Sequence, residues 1–159
     1  MKQIWAPWRI DYILQAKEEG CFLCDILQQE DDRTNLVLKR GETCAIIMNK
    51  YPYNNAHLMV APYGHTNKFE MLHENETSNM MIFVQEAIQR LNSFMHPEGY
   101  NIGINLGEAA GAGLKEHIHT HIVPRWDGDT NFMPVLAETK VIPQSLHELW
   151  DQLYPLFNT

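Results

Sequence analysis

The sequence predicts an α+β domain built on an antiparallel sheet of about five strands, and three observations carry that expectation. Several short apolar segments are bounded by turn residues, one long segment has helical periodicity, and the two kinds do not alternate as β-α-β units would. Strands gathered around a single long helix pair antiparallel more readily than parallel.

The elements follow in order. Residues 8–19 lie between Pro7 and Gly20 and set Ile10, Ile13 and Leu14 on one face, a short helix. Cys21 to Cys24 forms a knuckle. Leu36 to Leu38 and Cys44 to Met48 read as two strands of a hairpin around Gly41, and residues 57–62 as a third. Tyr51-Pro-Tyr-Asn-Asn55 between the second and third is turn chemistry, because proline fixes φ and asparagine tolerates unusual backbone angles. From Thr77 to Phe94 the apolar positions Met80, Met81, Val84, Ala87, Ile88 and Leu91 recur at three and four, the period of an amphipathic helix. Asn75, Thr77 and Ser78 are its candidate N-caps, and Pro97 closes it. Tyr100 to Asn105 alternates as a fourth strand, the segment around His117 to Val123 is the fifth, and Pro143 to Tyr154 is a terminal helix ended by Pro155. Leu146, Leu149, Trp150 and Leu153 form the inner side of that helix.

Composition narrows the function. At 159 residues, 45% of them hydrophobic, the chain suits a single domain over residues 1–159 with a core that needs no disulfide staples. No apolar run reaches the roughly 18 residues needed to cross a bilayer, and the first residues lack the apolar core of a secretory signal, so a cytoplasmic protein without membrane partners is expected. Three cysteines fit a reducing compartment better than a disulfide framework. A formal charge of −8 disfavours a nucleic acid polymer as partner, although a pocket of amides and imidazoles still suits a small nucleotide.

The chemistry concentrates in His117-Ile-His-Thr-His-Ile-Val123. On a strand, alternate side chains share a face, so the three imidazoles would line up with Ile118, Ile122 and Val123 between and beyond them. An internal run alternating with core residues is not a purification tag; a metal-binding tract remains an alternative. Imidazole near neutral pH is largely uncharged and nucleophilic, and a neighbouring hydrogen bond selects which nitrogen is free.

The chain resembles the histidine triad (HIT) family, whose pattern is His-x-His-x-His followed by two apolar residues; Thr120 is a mild departure. It is similar in particular to the bacterial branch related to diadenosine tetraphosphate phosphorylases and hydrolases, through Trp5-Ala-Pro-Trp-Arg9, Cys21-Phe-Leu-Cys24, Asn49-Lys-Tyr-Pro-Tyr-Asn54, His57-Leu-Met-Val-Ala-Pro62, Gly111-Ala-Gly113 and Val123-Pro-Arg-Trp126. The resemblance implies a HIT-like fold with a long central helix and terminal helices, and homodimers whose sheet continues across the interface. It implies that His119 attacks the α-phosphorus of a nucleotide or dinucleoside polyphosphate to form a nucleotidyl-histidine, with His121 and His117 completing the catalytic triad and His121 supplying donors to the phosphate oxygens.

Further roles follow from the same resemblance. Asn49 would bond the ribose hydroxyls, or else form a turn before Pro52; Asn105 would lie near sugar or phosphate; His57 near the nucleotide; Trp126 against a base, or packed at the strand exit. Small residues in the loop holding Gly111 and Gly113 let backbone amides approach a phosphate, with a flexible loop as the alternative, and Lys115 beside it either reaches the leaving phosphates or is solvated. Cys21 and Cys24 alone are a weak metal signal, but related bacterial proteins complete a zinc site with histidines at the positions of His65 and His117. A closed four-ligand sphere makes that zinc structural, and no organic cofactor is expected. Cys44 reads as buried packing, while His73, His96 and His147 belong to no constellation and suit surface or capping roles. The expected activity is cleavage of a dinucleoside polyphosphate by hydrolysis or phosphorolysis; the alternatives are a nucleoside phosphoramidase or general nucleotide hydrolase, and a non-catalytic nucleotide-binding regulatory module.

Overall fold

The computed structural model describes residues 20–111, 115–129 and 142–159. The expected helix over 8–19, the Trp5 to Arg9 stretch and Gly113 lie outside them. In order, the described elements are α1 (Phe22–Gln28), β1 (Val37–Arg40), β2 (Cys44–Met48), β3 (Leu58–Pro62), α2 (Glu74–Met95), β4 (Gly99–Ile104), β5 (Thr120–Arg125) and α3 (Leu146–Phe157), with single 3-10 turns at Phe69–Met71 and Glu108–Ala110. The strands form one sheet in the order β1-β2-β3-β5-β4, and every neighbouring pair is antiparallel. This is the α+β arrangement that the sequence predicts.

The register gives the sheet two different faces. Leu38, Cys44, Ile46, Met48, Leu58, Val60 and Ile122 turn to one side, where they form the main core with Met80, Val84, Ala87 and Leu91 of α2 and Leu149, Trp150, Leu153 and Phe157 of α3. The intervening residues Val37, Ala45, Ile47, Met59 and Ala61 turn to the other side and bury against Leu23 and Leu27 of α1. That second cluster includes β1 to β3 only. On the same face, β5 offers His121, Val123 and Arg125 opposite Gly103, Asn101 and Gly99 of β4.

Several boundaries differ from the sequence reading for identifiable reasons. Helix α2 starts at Glu74, earlier than Thr77, because His73 is its N-cap and the Glu76 carboxylate reaches back to accept the His73 N–H at 2.9 Å. It ends on His96 in the left-handed region (φ 48°), so His73 and His96 both serve as caps. Helix α3 starts at Leu146 and runs through Pro155 to Phe157. Phe157 is buried in the core, and the Asn158 amide donates to Tyr154 O and to Leu38 O, which secures the last turn despite the proline. The Cys21 to Cys24 stretch is a helix start: Cys21 is the N-cap and Cys24 sits in the first turn, three residues on, so both thiols face one side.

Two contacts fix the frame. Arg40 donates to Leu27 O at 2.7 Å and to Gln29 O at 2.6 Å, satisfying carbonyls at the end of α1 while pairing with Asp32. Gly41 gives the β1–β2 connection its close approach to α2, since a Cβ there would stand 2.5 Å from the Phe83 ring. Leu91 is fully buried on α2, and its replacement by alanine removes a side chain that the sheet cannot follow inward. We expect Leu91→Ala to lose about 2–5 kcal/mol of unfolding free energy in urea titration; a loss under about 0.5 kcal/mol would show that the α2–sheet contact is not the main core.

Candidate functional site

The histidine segment is only partly a strand. Ladder pairing with β3 joins Leu58 to Ile122, Met59 to His121 and Val60 to Thr120, so β5 begins at Thr120 and both His117 and His119 precede it. The chain leaves the ladder because other partners take its groups: Ile118 N–H donates to Thr66 O at 2.8 Å, and the His117 ring bonds Pro62 O through Nε2 at 2.8 Å. The expected row of three aligned rings is therefore corrected. His119 and His121 stand edge to face with centroids 4.7 Å apart, while the His117 ring lies against His65 and the two cysteines.

Three hydrogen bonds assign the protons. The His119 Nδ1–H donates to the His117 carbonyl at 2.9 Å, which leaves Nε2 with its lone pair free. Tyr53 N–H donates to His57 Nδ1 at 3.0 Å, so the proton of neutral His57 is on Nε2 and donates to His121 Nδ1 at 2.9 Å. His121 therefore carries its own proton on Nε2. The cluster holds a free imidazole nitrogen next to an imidazole N–H donor.

Burial sets the charge state. It pushes His57 down to about 3, with His121 and His119 adding repulsion, and His121 down to about 4, with His119 adding to it. Burial also lowers His119, against which the bond to the His117 carbonyl acts in the opposite direction. At neutral pH all three rings are uncharged, the state in which an imidazole nitrogen can act as a base or nucleophile.

The other sequence-predicted residues fall in different places. Asn49 closes a turn, its Oδ1 accepting Tyr51 N–H at 2.8 Å, and its amide stands 3.3 Å from His57 Nδ1, so the turn and the ring cluster share it. Asn105 lines a cavity of about 210 Å³ with His121, Tyr53, Asn101, Ile102, Gly103 and Val123. Gly111 ends the 3-10 turn at φ 79°, a backbone angle that suits glycine. Lys115 pairs with Glu108 at 2.8 Å. Trp126 is half-buried, and its Nε1–H donates to Met95 O at the end of α2. Cys44 is fully buried, and burial holds its thiol up at about 11, as a packing role requires.

Sequence reasoning missed Tyr53, Asn54 and Asp129. Tyr53 fixes the His57 tautomer through its backbone and lays its ring 4.8 Å from that of His57. Asn54 ties the same loop to the β5 exit by donating to Pro124 O and to Asp129 Oδ2, both at 2.9 Å. Backbone roles of this kind leave no residue-type signal; the closeness of Asn54 to Pro52 marked only a turn.

On the other side of His117, one ligand atom each from Cys21, Cys24, His65 and His117 all lie within 4.8 Å of one another. Cys21 Sγ is 3.2 Å from His117 Nδ1, and Cys24 Sγ is 3.3 Å from His65 Nδ1. A tetrahedral zinc with bonds of about 2.3 Å to sulfur and 2.0 Å to nitrogen separates its ligands by roughly 3.3–3.8 Å, so this donor set fits such an ion with small movements. Burial, and then the neighbouring Cys21, hold the Cys24 thiol up at about 11, a cost that a divalent cation between the sulfurs reverses. The Pro62 carbonyl on Nε2 keeps Nδ1 of His117 as the ligand nitrogen.

Residues 30–128 match the HIT domain family, and the chain belongs to it. It is 38% identical over 156 residues, covering 93% of this chain and 80% of the relative, to a Mycobacterium tuberculosis protein named AP-4-A phosphorylase. It is 30% identical over 109 residues, covering 69% of this chain and 81% of the relative, to an uncharacterized HIT-like protein of Methanocaldococcus jannaschii. The fold is that of a Zn-bound histidine triad family protein from Mycobacterium smegmatis, with a TM-score of 0.69 at 24% identity over 87% of this chain and 94% of that one.

The buried neutral histidines have a measurable consequence. A base whose folded-state pKa lies below its unfolded value contributes no penalty above about pH 6.5, and the protein loses stability as pH falls from there toward the folded value. For His57 that window runs from about 6.5 to about 3. We expect wild type to lose more unfolding free energy between pH 7 and pH 5 than His57→Gln does, by about 2 kcal/mol; parallel pH profiles would show that His57 is not buried as a neutral ring.

Proposed function

We propose that the protein cleaves dinucleoside polyphosphates at the α-phosphate through a nucleotidyl intermediate on His119. The observation that carries this reading is the pair formed by the free His119 Nε2 and the proton-bearing His121, aligned by the His117 carbonyl and by His57. The 38% identity to a named AP-4-A phosphorylase over nearly the whole chain supports the substrate class.

In the first half-reaction the His119 Nε2 lone pair attacks the α-phosphorus and forms the N–P bond. The bond to the bridging oxygen breaks, and the polyphosphate leaves with the electron pair. The growing positive charge on the ring is shared with the His117 carbonyl through Nδ1–H, and His121 Nε2–H donates to a phosphoryl oxygen. In the second half-reaction inorganic phosphate or water attacks the same phosphorus from the vacated side, and the N–P bond returns its electrons to His119. Asn49 bonds the ribose, while Asn105 and the loop with Gly111 and Gly113 take the phosphates; Trp126, with its N–H already on Met95 O, packs at the edge of the site.

Zinc on Cys21, Cys24, His65 and His117 supplies a structural cross-link, because four protein ligands leave no open position for chemistry. The outer edge of β4, last in the order of the described strands, with Ile102 exposed beside it, suits the continued sheet of a homodimer. Among the described residues no helix is long and apolar enough to cross a membrane, and the proposed location is cytoplasmic.

Incubation with diadenosine polyphosphates, with and without inorganic phosphate, tests the reading directly. We expect an acid-labile nucleotidyl adduct on wild type and a loss of at least about a hundredfold in turnover for His119→Ala, with nucleotide binding retained. Cleavage of a nucleoside phosphoramidate alone would reassign the substrate, and binding without turnover would make the protein a regulatory module. Metal analysis separately tests the cross-link: about one zinc per chain in wild type purified without chelator, and less than half of that together with a lower Tm in Cys24→Ser.

A further inference from the structure

Beside the cavity at His121, the sheet face carries a second one of about 270 Å³ lined by Tyr53, Asn54, Asn101, Val123 and Arg125. It shares Tyr53, Asn101 and Val123 with the cavity at His121, so the two form one groove. The floor is β5 and β4: His121, Val123 and Arg125 alternate on this face opposite Gly103, Asn101 and Gly99. At about 3.3 Å per residue the groove extends roughly 13 Å from His121 to Arg125. Gly103, opposite His121, leaves the floor open, since a Cβ there would meet nothing within 4 Å.

The chemistry of this groove distinguishes between possible occupants. Arg125 is not a free cation: its Nε and Nη2 donate to the two Asp129 oxygens, at 2.6 Å and 3.0 Å, in a paired and neutralised fork. A phosphate placed here would meet the Asp129 charge as well as the guanidinium. What remains is uncharged, because the Asn54 amide is likewise engaged, on Pro124 O and Asp129. Arg125 Nη1 donates to Asn101 Oδ1 at 2.7 Å, which occupies the Asn101 oxygen and leaves its NH2 as the donor of that side chain, and Tyr53 stands at the side with over half its surface exposed. An aromatic side wall, an apolar Val123 floor and the Asn101 amide donor suit a flat heteroaromatic ring with acceptors on its edge.

We propose that this groove is the pocket for the second nucleobase, that of the departing nucleotide. The inference rests on the dinucleoside polyphosphate reading above. The scissile phosphorus stands at His119, the first nucleoside extends toward Asn49, and the polyphosphate passes over His121 and Gly103, short of the Arg125–Asp129 pair, to the base over Val123 against Tyr53. The groove thereby makes a two-base ligand bind better than a one-base ligand with the same phosphate chain.

The test is equilibrium binding to His119→Ala, which does not turn the ligand over, using diadenosine tetraphosphate and adenosine 5′-tetraphosphate as probes. We expect the two-base ligand to bind about tenfold or more tighter. Adding Asn101→Ala, or Gly103→Val to fill the floor, should bring that ratio close to one. If Gly103→Val fails to fold, Asn101→Ala alone decides. Equal affinity for the two ligands, including no binding of either, overturns the pocket, as does a ratio that both variants leave intact. So does a groove filled by a second copy of the chain, seen as equal affinities together with a changed oligomeric state in the variants. The two readings fail separately: tight two-base binding that wild type never cuts removes the catalytic reading and keeps the pocket, whereas efficient cutting with equal affinities does the reverse.

Discussion

The peptide at His117 is the constraint on which the site depends. Its ring faces Cys21, Cys24 and His65, its Nε2 is held by Pro62 O, and its carbonyl accepts the Nδ1 proton of His119. A rotation of this one residue would disturb both the Cys/His cluster and the tautomer of His119. The coupling explains why the segment leaves the ladder before Thr120: a regular strand would turn His117 and His119 to the same face, and the two roles need different directions.

The sheet makes room for this by having two unlike faces. One is covered from β1 to β5 by α2 and α3, whereas the other is covered only as far as β3 by α1. The rings of His57, His119 and His121 stand at the boundary, where β5 follows β3 in the sheet order. They are dry enough to stay neutral, yet adjoin an open groove. Short-range burial comes from the inward-turned loop residues Asn54 and His57, and Asp129 anchors that loop through Asn54.

Legibility in the sequence followed the range of the interaction. Strands β2 and β3 and the middle of α2 were visible because their apolar pattern is local and periodic. The Cys and His residues of the metal cluster could be named because those residue types are scarce, although only resemblance joined positions that lie 96 apart in the chain. Backbone donors and long-range braces were not visible. Nothing in the letters marks Tyr53 N–H as the group that sets His57, or Asp129 as the acceptor for Arg125 and Asn54. The α3 terminus was misread because Pro155 is a local stop signal, while the burial of Phe157 and the Asn158 bond to Leu38 O are tertiary.

Electrostatics give the last step. A chain of formal charge −8 cannot draw a polyphosphate by a diffuse basic surface, and the cation in the groove, Arg125, is neutralised by Asp129. Under the proposed function the phosphates would be held by neutral donors at short range: the His121 N–H, backbone amides and asparagine amides. Such donors do not stabilise every anion equally, because their directions are fixed before the ligand arrives. Attraction at a distance is given up, and in the proposed reaction binding depends on geometry at the reacting phosphorus, where charge would redistribute as the N–P bond forms. Neutral, buried imidazoles serve that end better than charged ones, since a cationic His119 has no lone pair to offer.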